Sequence, residues 1–308
     1  MDKTDIALSM LLLANSRLSY RELSDSLGLS INAIHKRVQA LKELGVIRSF
    51  TAKVNLSAPG ALVVQVFGSS EADSLYAMPE KLGKHDSIYW VAFAGGNYLY
   101  VGAYLREISD LASFVEYVKK EAKMPNPKVG IVTNTETPRP PASGDFKLYP
   151  LDYEIIHALH DDSRKAISEV AEELGVSAKT VRRRLSRMVK NYLIELSIKW
   201  YPDASNDIIT VFHIHVKPTA DRDEVDRIFK KYSPNLLFYW SFSNLPNELM
   251  CVVWTNTMRE LKEIQAHFEK EETFEFFVPN ILYVGYIFDT WRDELVRPRA
   301  TPTQENKK

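Results

Sequence analysis

Apolar residues recur at helical spacing early in the chain. Ile6, Met10 and Leu13 share one face, Leu23 and Leu27 a second, and Ile34, Val38 and Leu41 a third, at steps of four and three. Ser19-Tyr20-Arg21-Glu22 has the form of a capping box, in which a serine hydroxyl and a glutamate carboxylate satisfy free amides at a helix start. Gly28-Leu29-Ser30 makes a tight break, with Ser30 as the N-cap of the third helix. Two short helices joined by such a turn form a helix-turn-helix. Residues 46–54 turn β-like, and the period then shortens. Strands are predicted at 61–67, 88–93, 98–104 and 128–133, with helices at 75–82 and 108–122. That order, β-α-β-β-α-β, is the ferredoxin-like plan.

The pattern occurs twice. At an offset of 147, Asp5 falls on Asp152, Ser16-Arg17 on Ser163-Arg164, Leu27-Gly28 on Leu174-Gly175, Ser30 on Ser177 and Arg37 on Arg184. At an offset of 150, Asp73 meets Asp223, Tyr89-Trp90 meets Tyr239-Trp240, and Leu99 meets Leu249. The three-residue difference belongs in a loop, where insertions are cheap. The second copy predicts strands at 194–200, 208–216, 236–242, 249–255 and 280–288, and helices at 224–231 and 258–269. Its capping box is degraded, because Ala166 stands where the serine would be. The fold class is therefore α+β, in two repeats, each a winged-type helix-turn-helix domain followed by a ferredoxin-like domain. The domain boundaries expected are 1–55, 56–134, a linker at 135–148, 149–202, 203–291 and a disordered tail at 292–308. Prolines and small polar residues mark the linker in TETPRPPASGD, residues 135–145. A sheet with both helices on one face leaves the other uncovered. Here that face carries Trp90, Tyr98, Trp240 and Trp254, so the α+β domains are expected to pair with each other or with another chain.

Composition excludes more than it identifies. Charged residues make up 26% of 308 and the net charge is −1, so any nucleic-acid signal has to be local. Cys251 is the one cysteine, which rules out an intrachain disulfide and a cysteine-based zinc site and fits a reducing, cytoplasmic setting. The opening apolar run, 6–14, is too short for a membrane span. No metal site and no cofactor are expected.

The local signal sits on the third helices. Residues 177–190 carry Lys179, Arg182, Arg183, Arg184, Arg187 and Lys190 with no acidic residue between them. The first copy is milder, with His35, Lys36, Arg37 and Lys42 against Glu43. Such a helix enters the major groove, its N-terminal residues reading base edges while basic residues further along hold phosphates. Capped by Ser30 and Ser177, the helices present Asn32, Ala33, Lys36, Lys179, Thr180 and Arg183 opposite the apolar stripe, as base-edge candidates. Arg37, Arg184 and Arg187 are phosphate candidates, and Arg37 and Arg184 have a second reading as braces between helices.

Ser16-Arg17, Glu22-Leu23, Leu27-Gly28-Leu29-Ser30, Lys36-Arg37-Val38, Leu41 and Leu44-Gly45-Val46-Ile47, followed by a βαββαβ domain, resemble the leucine-responsive/asparagine-regulator (Lrp/AsnC) family. The resemblance implies an oligomeric, DNA-binding transcription regulator whose α+β domain senses amino acids or related small molecules. The duplication departs from the family's single unit and makes one chain a pseudo-dimer. Its two recognition helices differ, so its two half-sites should differ too. Tyr192 replaces the glycine matching Gly45. The family's glycine-rich loop corresponds to Gly95-Gly96-Asn97-Tyr98, an effector-binding candidate that also reads as a plain hairpin turn. In the second copy the loop is Leu245-Pro246-Asn247-Glu248, without glycine.

Two alternatives stand beside the regulator. Siroheme decarboxylases resemble the same family in fold and bind a tetrapyrrole between paired α+β domains. His213 and His215 share one face of a strand, while His157, His160 and His267 sit on helices, so an enzyme of that kind has candidate groups. No nucleophile-base pair, metal-ligand spacing or phosphate loop emerges, and the expectation is a non-enzyme. The other alternative is a ligand-sensing module without DNA binding.

Overall fold

The computed structural model describes residues 1–56, 60–133 and 147–297. The first helix-turn-helix comprises α1 (Lys3–Ala14), α2 (Tyr20–Leu27) and α3 (Ile31–Glu43), and leads into β1 (Ile47–Val54). The first α+β domain is built from β2 (Leu62–Ser69), α4 (Met78–Leu82), β3 (Ile88–Ala94), β4 (Tyr98–Leu105), α5 (Leu111–Glu121) and β5 (Lys128–Ile131). The second copy repeats the order with α6 (Pro150–Ala158), α7 (Ile167–Glu173), α8 (Ala178–Lys190), β6 (Ile194–Trp200), β7 (Ile208–Val216), α9 (Arg222–Lys231), β8 (Leu236–Ser241), β9 (Glu248–Thr255), α10 (Met258–Phe268) and β10 (Phe274–Ile287). A short α11 (Trp291–Glu294) follows.

The local signals act as expected. Ser19 and Glu22 close a reciprocal capping box on α2, and Gly28 ends that helix in the left-handed region at φ 66°. Ala166 leaves the matching start of α7 without a side-chain cap. Its backbone is already extended, at φ −63° and ψ 142°, and Glu169 stands at the third helical position. Ala166→Ser should therefore restore the box and stabilise the protein by about 0.5–2 kcal/mol, read from its denaturant midpoint. An unchanged midpoint would show that the missing cap is inconsequential here.

Three readings need correction. The helix expected at 75–82 begins only at Met78, because Pro79 fits the first turn of a helix but not its interior. The strand expected at 280–288 begins six residues earlier, at Phe274. The tail expected from 292 is ordered as far as Arg297, with Arg292, Asp293 and Val296 buried. Most of the proline-rich linker, and the tail beyond 297, lie outside the described residues. Tyr192 keeps the left-handed conformation of its counterpart, at φ 52° against 75° for Gly45, so the turn survives without glycine.

The two copies are joined in two places. β1 and β6 pair antiparallel with each other, so each helix-turn-helix lends its trailing strand to a shared ribbon. The α+β strands run in the order β5-β2-β4-β3-β10-β7-β9-β8. Each half has the ferredoxin-like strand order, and β10 bridges them, its first part on β7 and its second on β3. At the other end Thr133 N–H donates to Ser241 O at 2.8 Å and Ser243 N–H to Ile131 O at 2.9 Å, closing the sheet on itself. The inner faces meet as predicted. Trp254 is fully buried, and the Trp90 and Trp240 rings lie 5.9 Å apart.

Trp90 and Trp240 are equivalent positions, so their contact marks a pseudo-two-fold axis. Ser16 and Ser163, also equivalent, share a hydroxyl hydrogen bond of 2.6 Å. Arg17 donates to the Ser163 carbonyl, and Arg164 to the carbonyls of Ser16 and Leu18. The Ser-Arg motif that marks each repeat is thus the clasp between them.

Candidate functional site

Ser30 and Ser177 cap the third helices through Ala33 N–H at 3.2 Å and Thr180 N–H at 3.1 Å. Asn32 and Lys36 are exposed and Ala33 half-buried. On α8, Lys179 and Arg183 are exposed, while Thr180 is half-buried with its hydroxyl 2.9 Å from that of Ser177. Ile34, Val38 and Leu41, and Val181, Leu185 and Met188, face inward. Each third helix therefore shows its polar side outward.

The arginines named as phosphate candidates are differently placed. Arg37 Nη1 lies 2.6 Å from Asp5 and 2.9 Å from Asp2. Arg184 reaches Asp152 at 3.1 Å and Arg187 the same carboxylate at 2.5 Å. These arginines brace the third helix against the first, and Asp152 is fully buried beneath two of them. The signal lay in the repeat itself, since Asp5 with Arg37 and Asp152 with Arg184 keep the same separation. Arg182 and Lys190, passed over as site residues, are exposed. Together with Lys179 and Arg183 they are four cations without a hydrogen bond, ion pair or ring contact among the described residues.

Gly95, Gly96 and Asn97 form the hairpin between β3 and β4. Gly96 and Asn97 take φ 68° and 56°, and Asn97 O accepts from Ser70 N–H at 2.9 Å. The turn accounts for these residues. Tyr98 alone of the group reaches a cavity of about 750 Å³ between the two halves of the closed sheet.

That cavity lies on the pseudo-two-fold axis, away from the helix-turn-helix domains. Phe67 faces Tyr100 across its sheet and His213 faces Met250, so Phe67 and His213 are equivalent, and their rings lie 5.4 Å apart. Asn280 Nδ2 donates to the Tyr100 hydroxyl at 3.1 Å, and that hydroxyl lies 2.6 Å from His213 Nε2. Burial, with a smaller push from Lys128, takes His213 down to about 4, so its ring is neutral. Burial, helped by Glu248, pushes the Tyr98 phenol up to about 12. At the rim Lys128 Nζ lies 2.7 Å from both oxygens of Glu248, and His215 Nδ1 lies 2.8 Å from Glu275.

Comparison with known proteins places these features. The family description "Winged helix-turn-helix DNA-binding" matches residues 1–48, and "AsnC-type helix-turn-helix domain" matches residues 150–189. An uncharacterized HTH-type transcriptional regulator of Pyrococcus furiosus is 32% identical over 99 residues, covering 32% of this chain and 67% of that protein. The chain belongs to the Lrp/AsnC family. An Lrp/AsnC relative, the HTH-type transcriptional regulator LrpA of Pyrococcus horikoshii, is 27% identical over 116 residues, covering 37% of this chain and 82% of that protein. Beyond the single Lrp/AsnC unit, the crystal structure of the siroheme decarboxylase NirDL matches the whole architecture. It covers 96% of both chains with a TM-score of 0.62 at 12% identity, a likeness of fold. Among the described residues no helix is long and apolar enough to cross a membrane.

Proposed function

We propose that the protein is a sequence-specific, DNA-binding transcription regulator of the Lrp/AsnC type, working in the cytoplasm without enzymatic activity and serving as its own dimer. One observation carries this reading. Lys179, Arg182, Arg183 and Lys190 stand exposed on α8, unpaired among the described residues, on the helix that the turn geometry presents outward. A cationic helix of this kind suits the major groove and its flanking phosphates. On α3, Asn32 and Lys36 take the base-edge positions with less charge, so the half-sites are unequal. Arg37, Arg184 and Arg187 act by holding the recognition helices in place. The family resemblance adds an amino-acid-like effector acting through the α+β domains.

The test is retention of fragmented genomic DNA by the purified protein at two salt concentrations, with the retained fragments sequenced. Discrete sites with unlike half-sites are expected. Retention without a motif leaves a phosphate-reading, architectural role, and no retention at either salt removes the DNA reading.

A second reading rests on the whole-chain likeness to NirDL, which has also been solved with an iron-uroporphyrin III analogue. Under it, the central cavity would hold a tetrapyrrole. The cavity's charges do not fit such a group, which is ringed with carboxylates. Among the described residues Lys128 is the lining's one lysine or arginine, already held by Glu248, and Glu71 adds a further negative charge.

A further inference from the structure

In a symmetric dimer of single units, the walls of a cavity on the two-fold axis would be identical. Here they have diverged. Lys128 lies opposite Phe67 on one side and Val278 opposite His213 on the other, so these two positions are equivalent and chemically unlike. The same registers match Gly130 with Asn280, and Tyr98 with Glu248. One half supplies a ring and a cation. The other supplies a half-buried histidine, an amide and an apolar strand.

We propose that this cavity is a binding site for a flat aromatic ligand with at most one negative group, which accepts a hydrogen bond from His213 Nδ1–H and sets its anion on Lys128. The proposal goes beyond the DNA-binding reading and stands without it.

The floor is preorganised. Asn280 donates to the Tyr100 hydroxyl, and among the described residues His213 Nε2 is the one acceptor within reach of that hydroxyl's own proton, so the hydroxyl donates to it. This fixes the ring in the tautomer that carries its proton on Nδ1, and no other hydrogen bond to the ring occurs among the described residues. A fixed donor of this kind rewards a ligand acceptor and rejects an analogue lacking one.

The walls are built for a ring. Phe67 and Tyr98 flank His213, at 5.4 and 5.6 Å between centroids, and Phe276 stacks on His215 at 5.0 Å. Phe276 and Val278 remain 56% and 53% exposed, an apolar surface that a stacked ring would cover. The rim limits charge, because Lys128 can exchange Glu248 for one ligand anion and His215 is engaged by Glu275.

The experiment titrates the full-length protein with the fluorescent dye 6-hydroxy-2-naphthoate, a flat aromatic with one negative group and a hydroxyl oxygen that can accept from His213, and separately with iron uroporphyrin. Dye emission is recorded, as is quenching of Trp90, whose ring lies 6.0 Å from that of Tyr100. One dye per chain is expected. Val278→Asp and Lys128→Met should each weaken binding by about tenfold or more. His213→Phe should do the same while keeping the melting transition, since phenylalanine already occupies the equivalent position at Phe67. No saturable dye binding, or an affinity that all three variants leave unchanged, overturns the proposal. So does iron uroporphyrin displacing the dye at one equivalent with a visible-band shift lost in His213→Phe, which would give the cavity to a tetrapyrrole. None of these residues lies on α3 or α8, so failure here leaves the DNA reading intact.

Discussion

Reversing the charge of Arg182 and Arg183 together should lower DNA affinity by about a hundredfold at moderate salt. Each phosphate contact removed should flatten the plot of log affinity against log salt by about one, since each such contact releases roughly one condensed counterion. Both side chains are exposed on α8 and neither bonds to another side chain among the described residues, so the fold should be indifferent to the change. Lys36→Ala on the weakly charged α3 should flatten the same plot less than the double reversal and leave most of the affinity. Arg184→Ala makes the instructive contrast. It strips one of two arginines from the fully buried Asp152, so its first effect should be on stability. Fluorescence anisotropy over a salt series, with a melting curve for each variant, separates these outcomes. Unchanged affinity and slope in the double reversal would remove α8 from the interface.

The repeat, its caps and its inward-facing stripes could be read from the chain because each depends on neighbours within a few residues. Ser30 and Ser177 announce their helices by position alone, and Leu185 declares its face by spacing from Val181. The braces were half visible. The separation of Asp5 from Arg37 recurs between Asp152 and Arg184, but a basic residue on a recognition helix reads as a DNA contact until its carboxylate is seen beside it. β10 was misread at its start because its first half is justified only by pairing with β7, and Pro279 argues locally against a strand. The cavity was least legible. His213 and His215 were noticed as sharing a face, but Tyr100, Lys128 and Asn280 come to His213 only when two distant registers fold about a common axis. Arg292 and Asp293 read as a polar tail by composition, and only the folded chain shows that they are a buried cluster.

That cluster should dominate stability. Arg292→Leu should cost about 3 kcal/mol, read from the denaturant midpoint. Arg292 is 2% exposed; its Nη2 lies 2.7 Å from Glu195 on β6, and its Nε donates to the Val54 carbonyl on β1. The neighbouring Trp291 donates to the Tyr104 carbonyl at 2.6 Å. α11 thus ties the shared ribbon to the first α+β domain. Removing the guanidinium strands a carboxylate and a carbonyl, and the figure stays at the low end because Glu195 keeps 28% of its side chain exposed. Replacing both Arg292 and Glu195 by methionine should recover part of the loss, since the pair's desolvation disappears with it. Asp293 adds a pH signature. Although burial opposes its ionisation, His160 at 3.0 Å and Lys53 at 2.7 Å hold its carboxyl well below the ordinary range. The same contact, before any effect of burial, raises His160 above its usual value. The carboxylate's contribution is present above its unfolded pKa of about 4 and fades as the pH falls below it. The histidine's is complete below about 6.5 and is lost as the pH climbs through its raised folded value. Stability should therefore peak between these limits, and Asp293→Asn should flatten both flanks at once. A variant that lowers stability equally at every pH would show that the aspartate packs without its charge being used.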